Sequence, residues 1–404
     1  HPIIVHRLRR AAMAGAQIMF VNPVDYEFLF DVHAQVVVPP SRMVATLAAI
    51  AACFPVAGSN AVDAVKAAIS AADPDDTHRA MAQALKDAGK ATVLLGNVAT
   101  AHPQFSVIKA LAAVIAAASG AIQGVLTEGA NGAGGWLAGV LPQRGPAGTV
   151  VSTAGLDAQA MLAMPRKGYL LFGVEPAHDC ANAAQAVKAL DAAEFVVSIA
   201  PFVSAAMKAQ ADVLLPIGAF TETSGTFVST EGRWQSFSGI ATPKGDSRPG
   251  WKVMRVLGNQ FGLDGFEQQS SEEIRDALRE QVGTMKLDNS QAAGPVAEAT
   301  AADGLERIGD VAINATDALV RRAPALQATP DAAAAGLLRL NAAQAEKSGL
   351  QDGSTVTVKQ GDASATMDVE ISERVPDGCV WLQAGTMAAA SLGASFGPIM
   401  IERV

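Results

Sequence analysis

Cysteine is scarce in this chain. Cys53, Cys180 and Cys379 are the only three in 404 residues, far apart and without a CxxC pair. A four-thiolate iron–sulfur cluster cannot be assembled from three thiols, so they read as small buried or half-buried side chains. The odd, low count suits a reducing cytoplasm better than a disulfide scaffold, and no signal-peptide pattern is present. The six histidines, at positions 1, 6, 33, 78, 102 and 178, leave the second half of the chain with none, and no pair is spaced as HxxxH or HExxH. No metal site is expected from them, and there is no GxSxG nucleophile elbow.

Charge is also sparse. Charged residues make up 17% of the chain and the formal net charge is −9, which removes any general attraction to a phosphate backbone or an anionic membrane face. Nucleic acid is therefore not an expected partner. Three uncharged runs approach the length of a membrane span: Met43 to Val62, Ala110 to Thr127 and Gly378 to Ile401. Each is broken by glycine, proline or polar residues, and none has paired aromatic and basic flanks. The second reads as a buried helix running into a strand, and no membrane span is expected.

What is present is apolar content, half of the residues, enough for two or three domains with substantial cores. The first residue is His1, and His1 to Gly15 already reads as a helix, so we expect a fragment whose natural start lies upstream. From His1 to about Leu263 helical stretches alternate with short apolar runs, the pattern of buried parallel strands between helices. Candidate strands are Gln17 to Val21, Ala91 to Leu95, Tyr169 to Val174, Glu194 to Ile199 and Asp212 to Leu215. The helix from Thr77 to Asp87 has Thr77 as its expected cap and Gly89 as its stop.

After a segment rich in Ala, Asp, Glu and Gly, including KLDNSQAAGPVAEATAADG, the period changes to strand-like alternation in GLLRL, STVTVKQ, SATMDVEIS and CVWLQA. One helix interrupts it, Ala342 to Lys347, with Asn341 as cap, Gln344 in capping-box position and Gly349 as stop. The expected division is 1–265 for an α/β part, 266–335 for a helical or linker arm, and 336–404 for a β-barrel.

Few residues invite a chemical reading. The glycine-rich GANGAGGW, Gly129 to Trp136, follows a candidate strand at Gln123 to Leu126. It is either a cradle for a phosphate or pterin or a tight loop against a sheet edge; its spacing is not GxGxxG and no acidic partner follows at the right distance. His178, Asp179 and Cys180 are adjacent, which a turn before a helix explains as well as a nucleophile does. The most informative segment is ADVLLPIGAFTETSGTFVSTEGRWQ, Ala211 to Gln235. Its Glu222, Glu231 and Arg233 stand close to positions that should be buried, so a charge-assisted network with backbone amides is expected there, either as an ion-pair clamp or as the floor of a cofactor site. A buried Arg233 would make Arg233→Ala cost about 3 to 5 kcal/mol, an exposed one no more than about 0.5.

This segment resembles the molybdopterin-oxidoreductase superfamily, whose pattern runs approximately ADVVLP and then E-x-x-G-T-[FY]-x-N-x-E-G-R-x-Q. Glu222, Gly225, Thr226, Phe227, Glu231, Gly232, Arg233 and Gln235 match it, and Ser229 replaces the usual Asn. LLRLNAAQAEKSGLQDGSTVTVK and ERVPDGCVWL are similar to that superfamily's double-psi β-barrel, and His1-Pro2 with RLRRAA looks like its E-x-H-P helix. DALVRRAPALQATPDA, Asp317 to Ala332, resembles the large peripheral-arm subunits of bacterial NADH:quinone oxidoreductase (complex I).

The resemblance implies an α/β fold with Rossmann-like parallel-sheet layers followed by a small barrel. It implies no catalytic or metal residues in this stretch, with Glu222, Gly225, Glu231, Arg233 and Gln235 as candidates for a relic cofactor site. Iron–sulfur clusters, [2Fe–2S] and [4Fe–4S], would lie in an upstream region. Partners would be other peripheral-arm subunits, including the NADH-oxidising flavin subunit, on the cytoplasmic face of the bacterial inner membrane. The chain's close, GTMAAASLGASFGPIMIERV, offers almost no donors for a phosphate-bearing cofactor. The competing expectations are an active molybdenum or tungsten bis-pterin oxidoreductase of the formate-dehydrogenase kind and, from GANGAGGW alone, a free-standing nucleotide-binding protein.

Overall fold

The computed structural model describes residues 1–55, 62–283, 285 and 304–404. Their contacts divide them into two compact units, His1–Leu126 with Ser290–Thr316 and Ala323–Val404, and Thr127–Asn289 with Asp317–Arg322. Among the described residues no helix is long and apolar enough to cross a membrane.

In the first unit, strands β1 (Met19–Asn22) and β2 (Ala34–Val37) form one parallel pair, and β3 (Thr92–Leu95) and β4 (Ile122–Val125) another. Helices Met43–Ala52, Asp63–Ser70, Asp76–Asp87 and Phe105–Ser119 pack on them through small side chains. Ala48, Ala51, Ala82, Val65 and Leu111 are almost wholly buried. Close packing of alanine lets helices approach each other and fills the interior without large residues. The run from Ala110 is thus a buried helix: it stops at Gly120, which takes a left-handed conformation with φ 73, and β4 follows. The helix ending at Asp87 differs from expectation at both ends. Its cap is Asp75, whose carboxylate accepts the His78 N–H at 2.9 Å, because the Asp carboxylate sits where it reaches the third helical amide. At its other end Ala88 turns extended, so Gly89 is not used as a left-handed stop.

The second unit holds a parallel sheet of β5 (Gly168–Phe172), β6 (Phe195–Ala200) and β7 (Val213–Pro216), in that order, and an antiparallel hairpin of β8 (Gly225–Val228) and β9 (Trp234–Phe237). All five expected strands of the α/β part are strands here, displaced by one or two residues at their ends.

A closed six-stranded barrel completes the first unit. It consists of β10 (Leu305–Ile308), β11 (Leu338–Leu340), β12 (Thr355–Gln360), β13 (Ala363–Ile371), β14 (Cys379–Trp381) and β15 (Phe396–Arg403), arranged β10-β14-β11-β13-β12-β15. Leu338, Leu340, Val356, Val358, Val380, Leu382 and Leu392 fill it. Two of its strands were not legible in the sequence. β10 lies inside the expected arm; most of the polar segment before it, residues 286–303, falls outside the described residues. β15 lies in the third apolar run, where Gly397 and Pro398 interrupt the alternation.

The barrel helix is Ala342–Ser348. Asn341 caps it by accepting the Gln344 N–H at 2.8 Å, and Gly349 ends it with φ 63. The Gln344 amide donates to Ser348 Oγ at 3.2 Å rather than closing a capping box. Asn341 also donates to Val375 O at 3.2 Å and to Asp377 Oδ1 at 2.6 Å, so one buried amide fixes the helix start to the turn before β14. Asn341→Ala is expected to cost about 2 to 4 kcal/mol in denaturant titration, a lost cap plus buried groups left without partners. A cost below about 1 kcal/mol would show that the amide acts as a cap only.

Candidate functional site

The segment singled out in the sequence folds into the β8–β9 hairpin and the turn before it. Glu222 closes the short helical turn Phe220–Glu222 by accepting the Ala219 N–H at 2.9 Å. Gly225 opens β8, where a Cβ would sit 2.8 Å from the Phe237 ring, so this glycine answers a packing need. Ser229, standing where the family pattern has Asn, shapes the hairpin end. Its N–H donates to Arg233 O at 3.0 Å, and its Oγ accepts the Arg233 N–H at 3.3 Å. Gly232 supplies the positive φ of 79 that the turn needs. Gln235 lies opposite Phe227 in the register, with its side chain exposed.

The expected charge network does not form. Glu231 and Arg233 are exposed, and neither makes an ion pair among the described residues; of the three charged groups only Glu222 binds a backbone amide. Backbone bonds and the Ser229 hydroxyl already hold the turn, which leaves the two charged side chains free to stay hydrated.

The glycine-rich stretch lies against the same hairpin. Asn131 Oδ1 accepts the Val228 N–H at 2.8 Å, and the short helix Gly132–Leu137 follows. At Gly134 a Cβ would fall 2.1 Å from Asn131 Oδ1. The glycine is needed for Asn131 to reach the strand edge, and of the two sequence readings the tight loop accounts for that geometry.

The charged cluster of the second unit is elsewhere, and sequence reasoning did not find it. Glu175 is 4% exposed. It takes Arg322 Nη2 at 2.5 Å on one oxygen and Arg321 Nη2 at 3.1 Å on the other. Arg321 Nη1 reaches Asp179 Oδ1 at 2.9 Å, and Asp179 Oδ2 accepts the Glu175 N–H at 2.6 Å. The Arg322 guanidinium also lies 5.0 Å from the Phe202 ring centre. Two cations and two carboxylates thus neutralise one another beside the turn that carries His178 and Cys180, where burial pushes the Cys180 thiol up. The available signal was the Arg-Arg doublet in the arm, which carries the family likeness but does not by itself announce a pair of ion-pair partners.

On and just after β10 two charged groups, buried Arg307 and half-buried Asp310, have neutral hydrogen-bond partners. Arg307 is 1% exposed and donates to Gln360 Oε1 at 3.0 Å and to the carbonyls of Leu382, Gly393 and Ala394 at 3.3 to 3.4 Å. Burial pulls its guanidinium down to about 10. Asp310 accepts Trp381 Nε1 at 2.6 Å, Tyr26 OH at 3.1 Å and Gln383 Nε2 at 3.2 Å. Burial raises its carboxyl above the usual range, and the three donors and the nearby Arg339 only partly offset that. Cys379 is fully buried and its thiol is pushed up to about 12, so it stays protonated and unreactive near neutral pH. Among the described residues no group of three His, Cys, Asp or Glu side chains is placed to hold a metal ion.

With this geometry in view, comparison with known proteins assigns the family. The profile of the molybdopterin oxidoreductase family matches residues 43–260, more than half of the chain, and that of the molybdopterin dinucleotide binding domain matches residues 321–398. The chain belongs to the molybdopterin oxidoreductase family. It is similar to an NADH-quinone oxidoreductase subunit of Mycobacterium bovis and to one of Mycobacterium tuberculosis, each 29% identical over 264 residues, 62% of this chain and 31% of the relative. It thus spans about a third of the length of those relatives. A putative formate dehydrogenase of Staphylococcus aureus is 38% identical over 69 residues, 17% of this chain and 7% of that protein. Among solved structures, acetylene hydratase from Pelobacter acetylenicus covers 60% of this chain and 45% of its own, with 13% identity and a TM-score of 0.44.

The family's cofactor is a pterin dinucleotide, whose phosphates need cations or convergent amides. The matched stretch from Arg321 to Pro398 holds six basic residues. Arg321 and Arg322 are spent on Glu175 and Asp179. Arg339 pairs with Glu370 at 2.7 Å and stacks 4.2 Å from the Trp381 ring centre, and Lys359 pairs with Glu402 at 2.7 Å. Arg374 donates to Asp25 O at 2.7 Å. Lys347, exposed on the helix Ala342–Ser348, is the one without a partner among the described residues. These residues do not fit a phosphate-bearing dinucleotide.

Two outcomes follow. Arg321→Ala is expected to cost about 3 to 5 kcal/mol, because it takes one of the two cations from buried Glu175, removes the partner of Asp179 and leaves the cluster with a net negative charge. Arg233→Ala is expected to stay within about 0.5 kcal/mol, and equal costs by denaturant titration would contradict the assignment of the buried cluster. Asp310 also links stability to pH. Its folded pKa lies above the unfolded value of about 3.9. The stability it contributes is therefore full below that value and is lost as pH rises through the folded pKa. Relative to Asp310→Asn, the wild type should gain stability as pH falls from 7 toward 4, and a difference that stays constant across that range would contradict the burial of this carboxyl.

Proposed function

We propose that this chain belongs to the large peripheral-arm subunit of a bacterial NADH:quinone oxidoreductase and acts there as a structural and docking body beside the electron path. The observation that carries this reading is the extent of likeness: 264 residues shared with the mycobacterial NADH-quinone oxidoreductase subunits, against 69 with the putative formate dehydrogenase. The Arg321–Arg322 doublet supports it. The segment that set this chain apart as complex I-like is also the one whose two arginines hold the buried Glu175 carboxylate, Arg321 pairing with Asp179 as well.

On this reading the electron transfer from NADH toward quinone runs through iron–sulfur clusters, [2Fe–2S] and [4Fe–4S], held outside this stretch. Glu222, Gly225, Glu231, Arg233 and Gln235 are retained shape from a former cofactor site. The partners are other peripheral-arm subunits, including the NADH-oxidising flavin subunit, at the cytoplasmic face of the inner membrane. A second reading, an active molybdenum or tungsten bis-pterin oxidoreductase, draws on the family assignment and on the formate-dehydrogenase likeness. The internal engagement of the basic residues speaks against it.

A native gel of source membranes, stained for NADH oxidation, probed with antibody to this chain and assayed for molybdenum, separates the two. Comigration with a large NADH-oxidising, molybdenum-free band is the expected result. A separate, smaller band containing molybdenum would overturn it.

A further inference from the structure

The hairpin of β8 and β9 has two edges, and the protein covers them unequally. The Ser229 N–H donates to Arg233 O at 3.0 Å, so residues 229 and 233 face each other as a hydrogen-bonded pair. Such pairs alternate along an antiparallel ladder, which makes Val228–Trp234 and Thr226–Ser236 the pairs whose backbone groups point outward. Val228 fixes the phase, because its outward N–H is the one that reaches Asn131 Oδ1 at 2.8 Å. On β9 the matching groups, the N–H and C=O of Trp234 and of Ser236, have no hydrogen-bond partner among the described residues. Apart from its length of four residues nothing blunts this edge: β9 is WQSF, with no lysine, proline or bulge.

Alternating donors and acceptors at strand spacing are matched by another extended backbone. The side chains beside the edge narrow its chemistry. The helix Ser271–Val282 covers one face, where Arg275 Nη1 donates to Ser236 Oγ at 3.1 Å and the exposed Arg279 guanidinium lies 5.6 Å from the Trp234 ring centre. The other face carries Arg233, Gln235 and Phe237, whose ring centre is 5.2 Å from that of the 40% exposed Phe227. Asp276 is bound by Arg275 at 2.7 Å, Glu280 follows Arg279 on the helix, and Glu231 stands on the turn beyond the strand. Arg233 and Arg279 make no ion pair among the described residues, so cations flank the Trp234 end of the edge on both faces and apolar surface flanks the Phe237 end. A second copy of β9 does not suit this edge, since WQSF brings no carboxylate and would double the arginines. We infer that β9 takes up an extended segment of a different polypeptide as an added strand, with a carboxylate near Arg233 and Arg279 and an apolar side chain beside Phe237.

The test uses the complete gene product in the cells that express it. With p-benzoylphenylalanine in place of Gln235, whose side chain is exposed, irradiation should join the chain to a different polypeptide at a stretch containing Asp or Glu. In that background Ser236→Pro removes an outward N–H that the hairpin does not use, and it should lower the yield roughly tenfold. Ser236→Ala keeps the N–H and should stay within about twofold of the parent. Arg233→Glu reverses an exposed charge and should also lower the yield roughly tenfold. No cross-link, or one confined to the same chain, to a second copy or to lipid, would overturn the inference, as would equal yields from Ser236→Pro and Ser236→Ala. If Ser236→Pro does not fold, Arg233→Glu decides, and an undiminished yield from it overturns the inference.

Discussion

Glu175 sets the constraint on which the second unit depends. A carboxylate that is 4% exposed has lost most of its hydration, and it is tolerable only because Arg321 and Arg322 both bind it and Asp179 balances the second cation. These partners stand far apart in sequence, so the six residues Asp317–Arg322 are drawn into the unit formed by Thr127–Asn289. Asp317 prepares them by accepting the N–H groups of Leu319 and Val320 at 2.8 and 2.9 Å.

The barrel handles buried charge differently. Arg307 and Asp310 lie three residues apart on and just after β10, yet each is satisfied by neutral groups: carbonyls and Gln360 for the cation; Trp381, Tyr26 and Gln383 for the acid. Arg307 ties β10 to the chain between Leu382 and Ala394, and Asp310 ties it to Tyr26 beside a core of Val24, Ile308, Trp381 and Phe396. In the stretch matched to the dinucleotide-binding domain, five of the six basic side chains are engaged inside the protein, and Lys347 is the one left without a partner among the described residues.

Most of the fold was legible, because buried parallel strands and alanine-faced helices write their periods directly into sequence, as in Phe195–Ala200 and Phe105–Ser119. β10 was hidden because its inward position at 307 is an arginine, which reverses the expected alternation. β15 was hidden because Gly397 and Pro398 sit inside the strand. At the candidate site, proximity in sequence misled. Glu231 and Arg233 flank Gly232 in a turn, where neighbouring side chains diverge into solvent. The true partners, Glu175 and Arg322, are 147 residues apart. No local pattern encodes that pairing; only the fold brings it about.

That the matched dinucleotide-binding stretch leaves only Lys347 free to meet a phosphate is open to direct test by titration calorimetry of the chain with a pterin dinucleotide. The account predicts no saturable heat at millimolar ligand. Saturable binding that is lost in Arg339→Gln or Arg374→Gln would contradict it, because those guanidiniums would then be meeting phosphate rather than Glu370 and the Asp25 carbonyl.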